Sequence, residues 1–404
     1  MADYFQNGLI TTIHNLSDRK VDELEQELLQ FKDQGSPMAL VLPSLFSELE
    51  GPALKNIVSE LQKVPYLDEV IIGLDRADAG QFAFAKEYFK PLRQRFTILW
   101  NDGDRLKGVN RLLEEHSLAP DQPGKGRNVW FCLGYFLASG RAKTVALHDC
   151  DITTYDRSML AKLFYPVANP TFGFKFCKGY YYRAANRKLN GRVTRLLITP
   201  LVRALKVLCK DQGFLDYINS FRYPLAGEFC MYHDVVTNIR IPSDWGLEIG
   251  VLSEVYRNYA LNKICQVDIA DHYDHKHQPL SEGDPEAGLS RMSLDISKAF
   301  FRKLAILGEV FSTEFFRSLK ATYYRMALDA IEQYYADATM NGLVLDRHAE
   351  ESAVEMFAKN LTRAGEIYLA TPEEVPFMPA WNRVVSAIPD IFDRLKEAVE
   401  EDNR

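Results

Sequence analysis

Short apolar runs alternate with helical patterns through residues 38–151, and this alternation constrains the fold more than any other feature. Strands that alternate with helices of about a dozen residues indicate an α/β fold, in which a largely parallel sheet carries helices on both faces. The predicted strands are Met38–Leu42, Glu69–Leu74, Phe96–Trp100 and Lys143–Leu147, and the predicted helices are Leu54–Leu61, a stretch reaching about Tyr88, Leu106–Leu118 and Asn128–Ala138.

Polar residues follow each of these strands. In parallel sheets, ligands bind beyond the carboxyl ends of the strands, so these residues predict a site along one edge of the sheet. The residues are Pro43-Ser44, Asp75-Arg76, Asn101-Asp102 and Asp149-Cys150-Asp151.

The rest of the chain divides into a less regular middle and a helical end. In the middle we predict strands at Phe172–Lys178 and Lys263–Ile269 and helices at Thr194–Leu208 and Leu247–Tyr259. Apolar residues at helical spacing follow. They predict helices at Ser293–Leu307, Ser312–Tyr335, Ala349–Tyr368 and Val384–Val399. We therefore expect an α/β part at 1–152, its continuation at 153–284 and a helical extension at 285–404.

Composition excludes several classes of protein. Lys and Arg number 48 against 55 Asp and Glu, and this net charge of −7 argues against a nucleic-acid-binding protein. No apolar run approaches the roughly 18 residues that span a bilayer, and the acidic first 30 residues do not resemble a signal peptide. The six cysteines are scattered without a CxxC pair, so we expect free thiols in a cytoplasmic protein.

The first chemical signal is Asp149-Cys150-Asp151. Acids at positions i and i+2 of an extended chain point the same way. Paired carboxylates suit Mg²⁺ or Mn²⁺, which bind through one or two carboxylates together with substrate phosphates. A solvent-exposed loop could carry the same Asp-Cys-Asp sequence, but the position of this segment after an apolar strand favours a metal site.

Two further segments place small or basic residues at helix starts, where backbone N–H groups attract anions. Gly124-Lys125-Gly126 is one, and it contains no GxxxxGK[ST] run, so it is not a P-loop. The second is Asn190-Gly191-Arg192-Val193-Thr194, which fits a phosphate or carboxylate site. The alternatives are a flexible turn for the first and a surface helix capped by Thr194 for the second.

Histidines and isolated acids give the last signals. The run from Asp271 to His277 contains three histidines. A zinc site would require further Cys or His ligands at the spacing of zinc-binding motifs, and none are evident. The simpler interpretation is that one histidine completes the metal coordination of Asp149 and Asp151. Glu248, among apolar residues at a helix start, is either a favourable N-terminal charge or a pocket carboxylate. Gly227-Glu228 has the same two interpretations.

In this order, the motifs resemble the retaining glucosyl-3-phosphoglycerate synthase family, which is close to the mannosyl-3-phosphoglycerate synthases. The resemblance extends from about Met38 to Ile296. The motifs are Leu42-Pro43, Gly124-Lys125-Gly126 with Trp130, Asp149-Cys150-Asp151, Gly191-Arg192-Val193-Thr194 with Pro200-Leu201, Pro224-Leu225-Ala226-Gly227-Glu228, Gly246-Leu247-Glu248-Ile249-Gly250, and His275 before Pro279-Leu280.

The resemblance implies a GT-A-type, Rossmann-like mixed sheet flanked by helices, with a helical C-terminal extension. It also implies Mg²⁺ or Mn²⁺ as cofactor and a role for each motif residue. The metal would be held by Asp151 and His275. The nucleotide sugar would be bound by Pro43, Glu48, Asp75, Lys125, Asp149, Cys150, Gly227 and Glu228. The acceptor would be bound by Gly191, Arg192, Thr194 and His277. Catalysis would depend on Glu248, Asp151 and Lys125.

The sequence departs from the family pattern in two places. The family has an Asn-Glu pair soon after the first-strand proline, whereas here the run is Pro43-Ser44-Leu45-Phe46-Ser47-Glu48. After the second strand the family has a turn rich in Ser, Gly and Asp, whereas this chain has Asp75-Arg76-Ala77-Asp78. The placement of Glu48 and the choice of nucleotide base follow least directly from the resemblance.

The implied reaction moves a hexose, expected to be glucose, from a nucleotide diphosphate sugar to the 2-hydroxyl of 3-phosphoglycerate, for the synthesis of glucosylglycerate, a compatible solute. Three alternatives stay open: transfer of mannose from GDP-mannose, a sugar-phosphate nucleotidyltransferase that releases pyrophosphate, and a sensor that binds nucleotide sugar without turnover. UDP-glucose and GDP-mannose are not distinguished by residue spacing. A homodimer through the C-terminal helices is also considered, and no membrane partner is expected.

Overall fold

An eight-stranded mixed sheet lies at the centre of the computed structural model, which describes residue 6 and residues 8–120, 122–210, 213–275, 288–373 and 377–404. The strands are β1 (Thr11–Ile13), β2 (Met38–Leu45), β3 (Leu67–Asp75), β4 (Arg95–Trp100), β5 (Thr144–Leu147), β6 (Phe176–Tyr181), β7 (Ala184–Ala185), β8 (Lys188–Leu189), β9 (Phe229–Tyr232), β10 (Ile241–Pro242), β11 (Ile264–Ala270) and β12 (Phe377–Met378). The order in the main sheet is β1-β11-β6-β9-β5-β2-β3-β4.

The main sheet contains both parallel and antiparallel strand pairs. β2, β3 and β4 pair in parallel, and the first five residues of β2 are buried because helices cover both faces. β9 is antiparallel to both of its neighbours, β5 and β6, which makes the sheet mixed. The predicted sheet class is confirmed, and the observed strands begin or end within a few residues of the first four predicted ones.

Fifteen α-helices lie among the described residues. They are α1 (Val21–Asp33), α2 (Pro52–Leu61), α3 (Ala79–Phe89), α4 (Asp104–Glu115), α5 (Lys125–Ser139), α6 (Arg157–Ala168), α7 (Thr199–Leu208), α8 (Gly213–Ser220), α9 (His233–Asn238), α10 (Leu247–Asn258), α11 (Gly288–Ile306), α12 (Thr313–Met340), α13 (Arg347–Ala370), α14 (Trp381–Ala387) and α15 (Ile391–Asp402). None of the described helices is long and apolar enough to cross a membrane.

Two predicted elements were wrong in their bounds. The helix expected at Val384–Val399 is two helices, α14 and α15, because Pro389 between them lacks the backbone N–H that a continuous helix requires. The strand expected from Phe172 starts only at Phe176. The residues before it form a turn, in which Gly173 has a φ of +69°.

The C-terminal helices pack on the α/β part through large buried side chains. The Trp381 ring stacks on Trp130 of α5 with centroids 4.2 Å apart. On the same side, Arg141 bridges Glu69 of β3 (2.8 Å) and Glu400 of α15 (2.5 Å). The boundaries expected near residues 152 and 284 stay a prediction.

Candidate active site

The ends of β5 and β9 bring the first acidic motif against a glycine. Leu147 of β5 pairs with Phe229 of β9, so the chain leaving β5 runs beside the residues that precede β9. A Cβ placed on Gly227 would lie 2.5 Å from Asp149 Oδ2, closer than real side-chain atoms come. Glycine is therefore required at position 227 for Asp149 to keep this place.

Asp151 and His275 lie side by side, as the metal-site prediction requires. Asp151 Oδ2 is 3.7 Å from His275 Nδ1. Backbone pairing holds the two segments together, since Ile152 forms a β-bridge with His275 and Thr153 N donates to Asp274 O at 2.9 Å. Burial opposes ionisation of Asp151, but His275 and Lys125 outweigh it and lower the pKa of Asp151. The ionised form of Asp151, which a metal ligand would need, is thus favoured.

The donor set fits Mg²⁺ or Mn²⁺ better than zinc. Within the described ranges, no group of three or more His, Cys, Asp or Glu side chains converges as a metal site. Two ligands 3.7 Å apart are close enough to share one cation. Mg²⁺ commonly takes only one or two protein ligands and completes its shell with water and substrate phosphates, whereas structural zinc takes four protein ligands.

Lys125, the first residue of α5, lies between two acids of the same edge. Its Nζ is 2.7 Å from Asp149 Oδ1 and 3.6 Å from Glu248 Oε1 at the start of α10. Burial alone would lower the pKa of Lys125, but the charges of Asp149 and Glu248 outweigh it and raise that pKa. The ammonium is therefore a permanent cation in an acidic pocket.

Glu228 is fully buried behind this pair and held by two tyrosines. The hydroxyl of Tyr181 donates to Oε2 at 2.8 Å and that of Tyr273 donates to Oε1 at 2.7 Å. Burial and the nearby charge of Asp149 raise the pKa of Glu228, although the two tyrosines oppose the shift. Glu228 thus fixes the segment after Gly227 and shapes the floor of the site.

Lys178 of β6 is a charged residue of the site that the sequence interpretation missed. Its side chain is 1% exposed, and Nζ donates to Ala226 O at 2.5 Å, directly before Gly227. Burial lowers the pKa of Lys178 to about 8, although Glu248 and Glu228 oppose the shift. The available signal was a lysine placed within an otherwise apolar strand.

The expected nucleotide-binding residues line the ends of β2, β3 and β5. Asp75 ends β3, and its two oxygens accept from Asn101 (2.8 Å) and Asn128 (3.0 Å). The Cys150 side chain is 3% exposed, so only its backbone is available to a ligand. Burial, together with charges that include Glu48, raises the pKa of Cys150. Pro43 is half-buried at the end of β2, beyond the part that pairs with β5.

The predicted acceptor segment, residues 190–194, leads into a helix as expected, but the first turn of that helix is π-helical instead of α-helical. Gly191 has a φ of +78°, a conformation that favours glycine, and residues 193–198 form a π-helical turn that continues into α7. Thr194 is buried, and its hydroxyl makes no hydrogen bond to the described residues, so it is not the helix cap. Arg192 Nε donates to Glu350 of α13 at 2.6 Å.

A chain of aromatic contacts connects this segment with the metal side. Gly191 packs against the Tyr223 ring, since an added Cβ would lie 3.7 Å from Tyr223 Cε2. Tyr223 lies 5.0 Å from Tyr181, Tyr181 stacks on Tyr273 at 3.6 Å, and Tyr273 lies 5.7 Å from His275. The two sides of the predicted site thus belong to one connected wall.

Besides Lys178, the sequence interpretation missed the two tyrosines that contact Glu228 and the side chain of Arg183. His277 lies outside the described residues. The tyrosines on Glu228 had no signal beyond their aromatic character. Arg183 was also missed: its side chain packs on Gly191, and two of its buried nitrogens, Nε and Nη2, have no hydrogen-bond partner among the described residues.

A mixed α/β sheet with an Asp-x-Asp segment, a lysine and a histidine at its carboxyl edge defines the class, a GT-A-fold glycosyltransferase. A solved structure of the same fold is glucosyl-3-phosphoglycerate synthase from Mycobacterium tuberculosis, in complex with Mn²⁺, UDP-glucose and phosphoglyceric acid. Its TM-score is 0.53 at 21% identity, over 73% of this chain and 88% of that one.

Sequence relatives give the family. No protein-family model matches the chain. It is 47% identical over 403 residues to the glucosyl-3-phosphoglycerate synthase of Persephonella marina, covering 100% of this chain and 99% of the relative. With the same enzyme of Methanococcoides burtonii it shares 39% identity, over 98% and 97% of the two chains. The chain therefore belongs to the glucosyl-3-phosphoglycerate synthase family, and the resemblance inferred from its motifs is confirmed.

Proposed function

We propose that this chain transfers glucose from UDP-glucose to the 2-hydroxyl of 3-phosphoglycerate, with retention of the anomeric configuration. The observation that carries the proposal is the connected wall from the Asp151–His275 pair to the Arg192 helix start. Full-length relatives that bear the name of this activity support it, as does a bound complex of Mn²⁺, UDP-glucose and phosphoglyceric acid on the same fold.

Asp151 and His275 would hold Mg²⁺ or Mn²⁺, whose chemistry is to neutralise negative charge on the departing diphosphate. Lys125 adds a fixed positive charge beside it, supported from behind by Asp149 and Glu248. Asp149, Gly227 and the ends of β2 and β3 bind the nucleotide. Because these charges are in place before the reaction, they stabilise the transition state without reorganising.

Gly191, Arg192 and the backbone of Thr194, whose hydroxyl is buried, orient the acceptor, with His277 as a further contact. A guanidinium and backbone N–H groups at a helix start suit the phosphate and carboxylate of 3-phosphoglycerate. Holding the 2-hydroxyl against the anomeric carbon makes the step effectively unimolecular.

The bond from the anomeric carbon to the diphosphate breaks as the bond to the acceptor oxygen forms on the same face. The hydroxyl proton passes to the leaving phosphate oxygen, so no protein base is required. Glu248 lies 3.6 Å from Lys125 and contacts the sugar, where it stabilises positive charge at the anomeric carbon. A covalent intermediate on Glu248 is the less favoured route.

The test is a matrix of UDP-, GDP- and ADP-sugars against 3-phosphoglycerate and glycerate, with and without Mg²⁺, scored by product mass. We expect glucosyl-3-phosphoglycerate and UDP from UDP-glucose with the metal, and an α-anomeric signal by NMR. Transfer from GDP-mannose alone would indicate the mannosyl enzyme, pyrophosphate release a nucleotidyltransferase, and binding without turnover a sensor. Each of these results would contradict the proposal.

We further propose a cytoplasmic location and a homodimer. All six cysteines are buried free thiols, which suits a reducing compartment. Ile306 at the end of α11 and Val310 in the loop before α12 are both exposed, and this apolar pair is where we place the contact with a second copy. Light scattering of the full chain should give twice the monomer mass, and a monomer at micromolar concentration would contradict the dimer.

A further inference from the structure

The acceptor segment is held from behind by the helical C-terminal extension. Val344, in the loop between α12 and α13, pairs with Lys188 of β8, and its N–H donates to Arg187 O at 2.7 Å. The Tyr323 hydroxyl of α12 donates to Leu196 O in the π-helical turn at 2.7 Å. The extension therefore forms the wall behind the acceptor motif.

Glu350, in the first turn of α13, is the charged centre of this contact. Its side chain is 2% exposed, and it lies between two guanidinium groups. Arg192 Nε is 2.6 Å from Oε1 and Arg195 Nη2 is 2.8 Å from Oε2. A buried carboxylate needs such partners, because an unpaired charge would cost several kcal/mol.

The two arginines have different freedom. Arg195 is almost fully buried, donates from Nε to Asn190 O at 2.9 Å and lies over the Tyr334 ring at 4.9 Å. Arg192 is the outer member, with 32% of its side chain exposed. Within the described part of the chain, the Arg192 side chain makes one hydrogen bond, from Nε to Glu350. The N–H groups of its two terminal nitrogens can therefore donate to a ligand. A guanidinium held at Nε still presents two donors to a phosphate or carboxylate.

We propose that Glu350 is a positioning residue that orients Arg192 for the anionic acceptor, so that the C-terminal extension completes the acceptor site. This inference rests on the proposed function. Arg195 and Glu350 form the buried anchor, and Arg192 is aligned on it before the acceptor arrives.

The test compares steady-state kinetics of wild type, Glu350→Gln, Arg192→Ala and the double variant. We expect Glu350→Gln to raise the KM for 3-phosphoglycerate about tenfold, with kcat and the KM for UDP-glucose within twofold. Effects of residues that act through one group are not additive. The double variant should therefore match Arg192→Ala, with no further rise in acceptor KM.

The matched control is Glu332→Gln, which breaks the exposed ion pair between Glu332 of α12 and Arg347 of α13. It should leave every kinetic parameter within twofold. Thermal melting separates a loss of fold from a loss of orientation, and Glu350→Ala gives a second variant if Glu350→Gln keeps too much of the contact.

Two results would overturn the inference: an unchanged acceptor KM in both folded Glu350 variants, or an additive effect in the double variant. A failure of the proposed function would look different, because the wild type itself would then transfer no glucose to 3-phosphoglycerate.

Discussion

The edge of the sheet with Asp75, Lys125, Asp149, Asp151 and His275, which we call the donor edge after its proposed role, is built differently from residues 190–194, the proposed acceptor segment. At the donor edge, Lys125 and Asp149 meet because one begins a helix and the other follows a neighbouring strand. At the acceptor segment, Arg192 is fixed by Glu350, which lies 158 positions further along the chain. Strand ends of a parallel sheet converge wherever the sheet forms, whereas the contact between Arg192 and Glu350 depends on how an added layer of helices docks on that sheet. The central sheet therefore places Lys125 and Asp149, whereas the position of Arg192 depends on the C-terminal helices.

The largest expected effect is on the donor edge. Asp151→Ala should lower kcat/KM at least about a thousandfold, about 4 kcal/mol of transition-state stabilisation, because the cation would lose its proposed carboxylate ligand. The measurement is initial rates over a range of Mn²⁺ concentrations.

The control for this change is Asp156→Ala, whose side chain caps α6 by accepting from Ser158 N at 2.8 Å. It should cost about 1 kcal/mol of stability and leave transfer within twofold. A thousandfold loss in the control, or near-normal rates in Asp151→Ala with metal present, would remove the metal assignment.

The second effect isolates the acceptor segment. Arg192→Ala should lower kcat/KM for 3-phosphoglycerate about a hundredfold, about 3 kcal/mol, because a charge-assisted contact to the anion is lost. The KM for UDP-glucose should stay within twofold. Arg203→Ala, an exposed arginine on α7, is the control and should behave as wild type. Equal loss for donor and acceptor would show that the two regions are not separate.

The smallest effect concerns the buried lysine beneath the donor edge. The pKa of Lys178 is about 8 in the fold against an ordinary value of 10.5, so above pH 8 the unfolded chain binds more protons than the folded one. Stability relative to Lys178→Met should then rise by about 2 kcal/mol between pH 8 and pH 10. Urea unfolding at both pH values measures this difference, and a flat difference would show that Lys178 titrates normally.

The sequence predicted that residues after the strands share one edge because that information is local, while their role in donor binding stays a prediction. Apolar runs end at Asp75 and Asp149, and strand ends share one edge, so the convergence follows from topology. Lys178 was missed because a lysine in an apolar strand indicates an unusual position but not which groups its ammonium will contact. Glu350 was missed because an acidic residue in the first turn of a helix is common and usually exposed. Only the packing of α13 shows that this acid is buried.

The most direct test of the separation between the two regions is calorimetric titration of UDP in the presence of Mn²⁺ into wild type, Asp151→Ala and Arg192→Ala. We predict binding with Kd values within twofold for wild type and Arg192→Ala, and loss of binding for Asp151→Ala. Weakened UDP binding in Arg192→Ala, or unchanged binding in Asp151→Ala, would contradict the account.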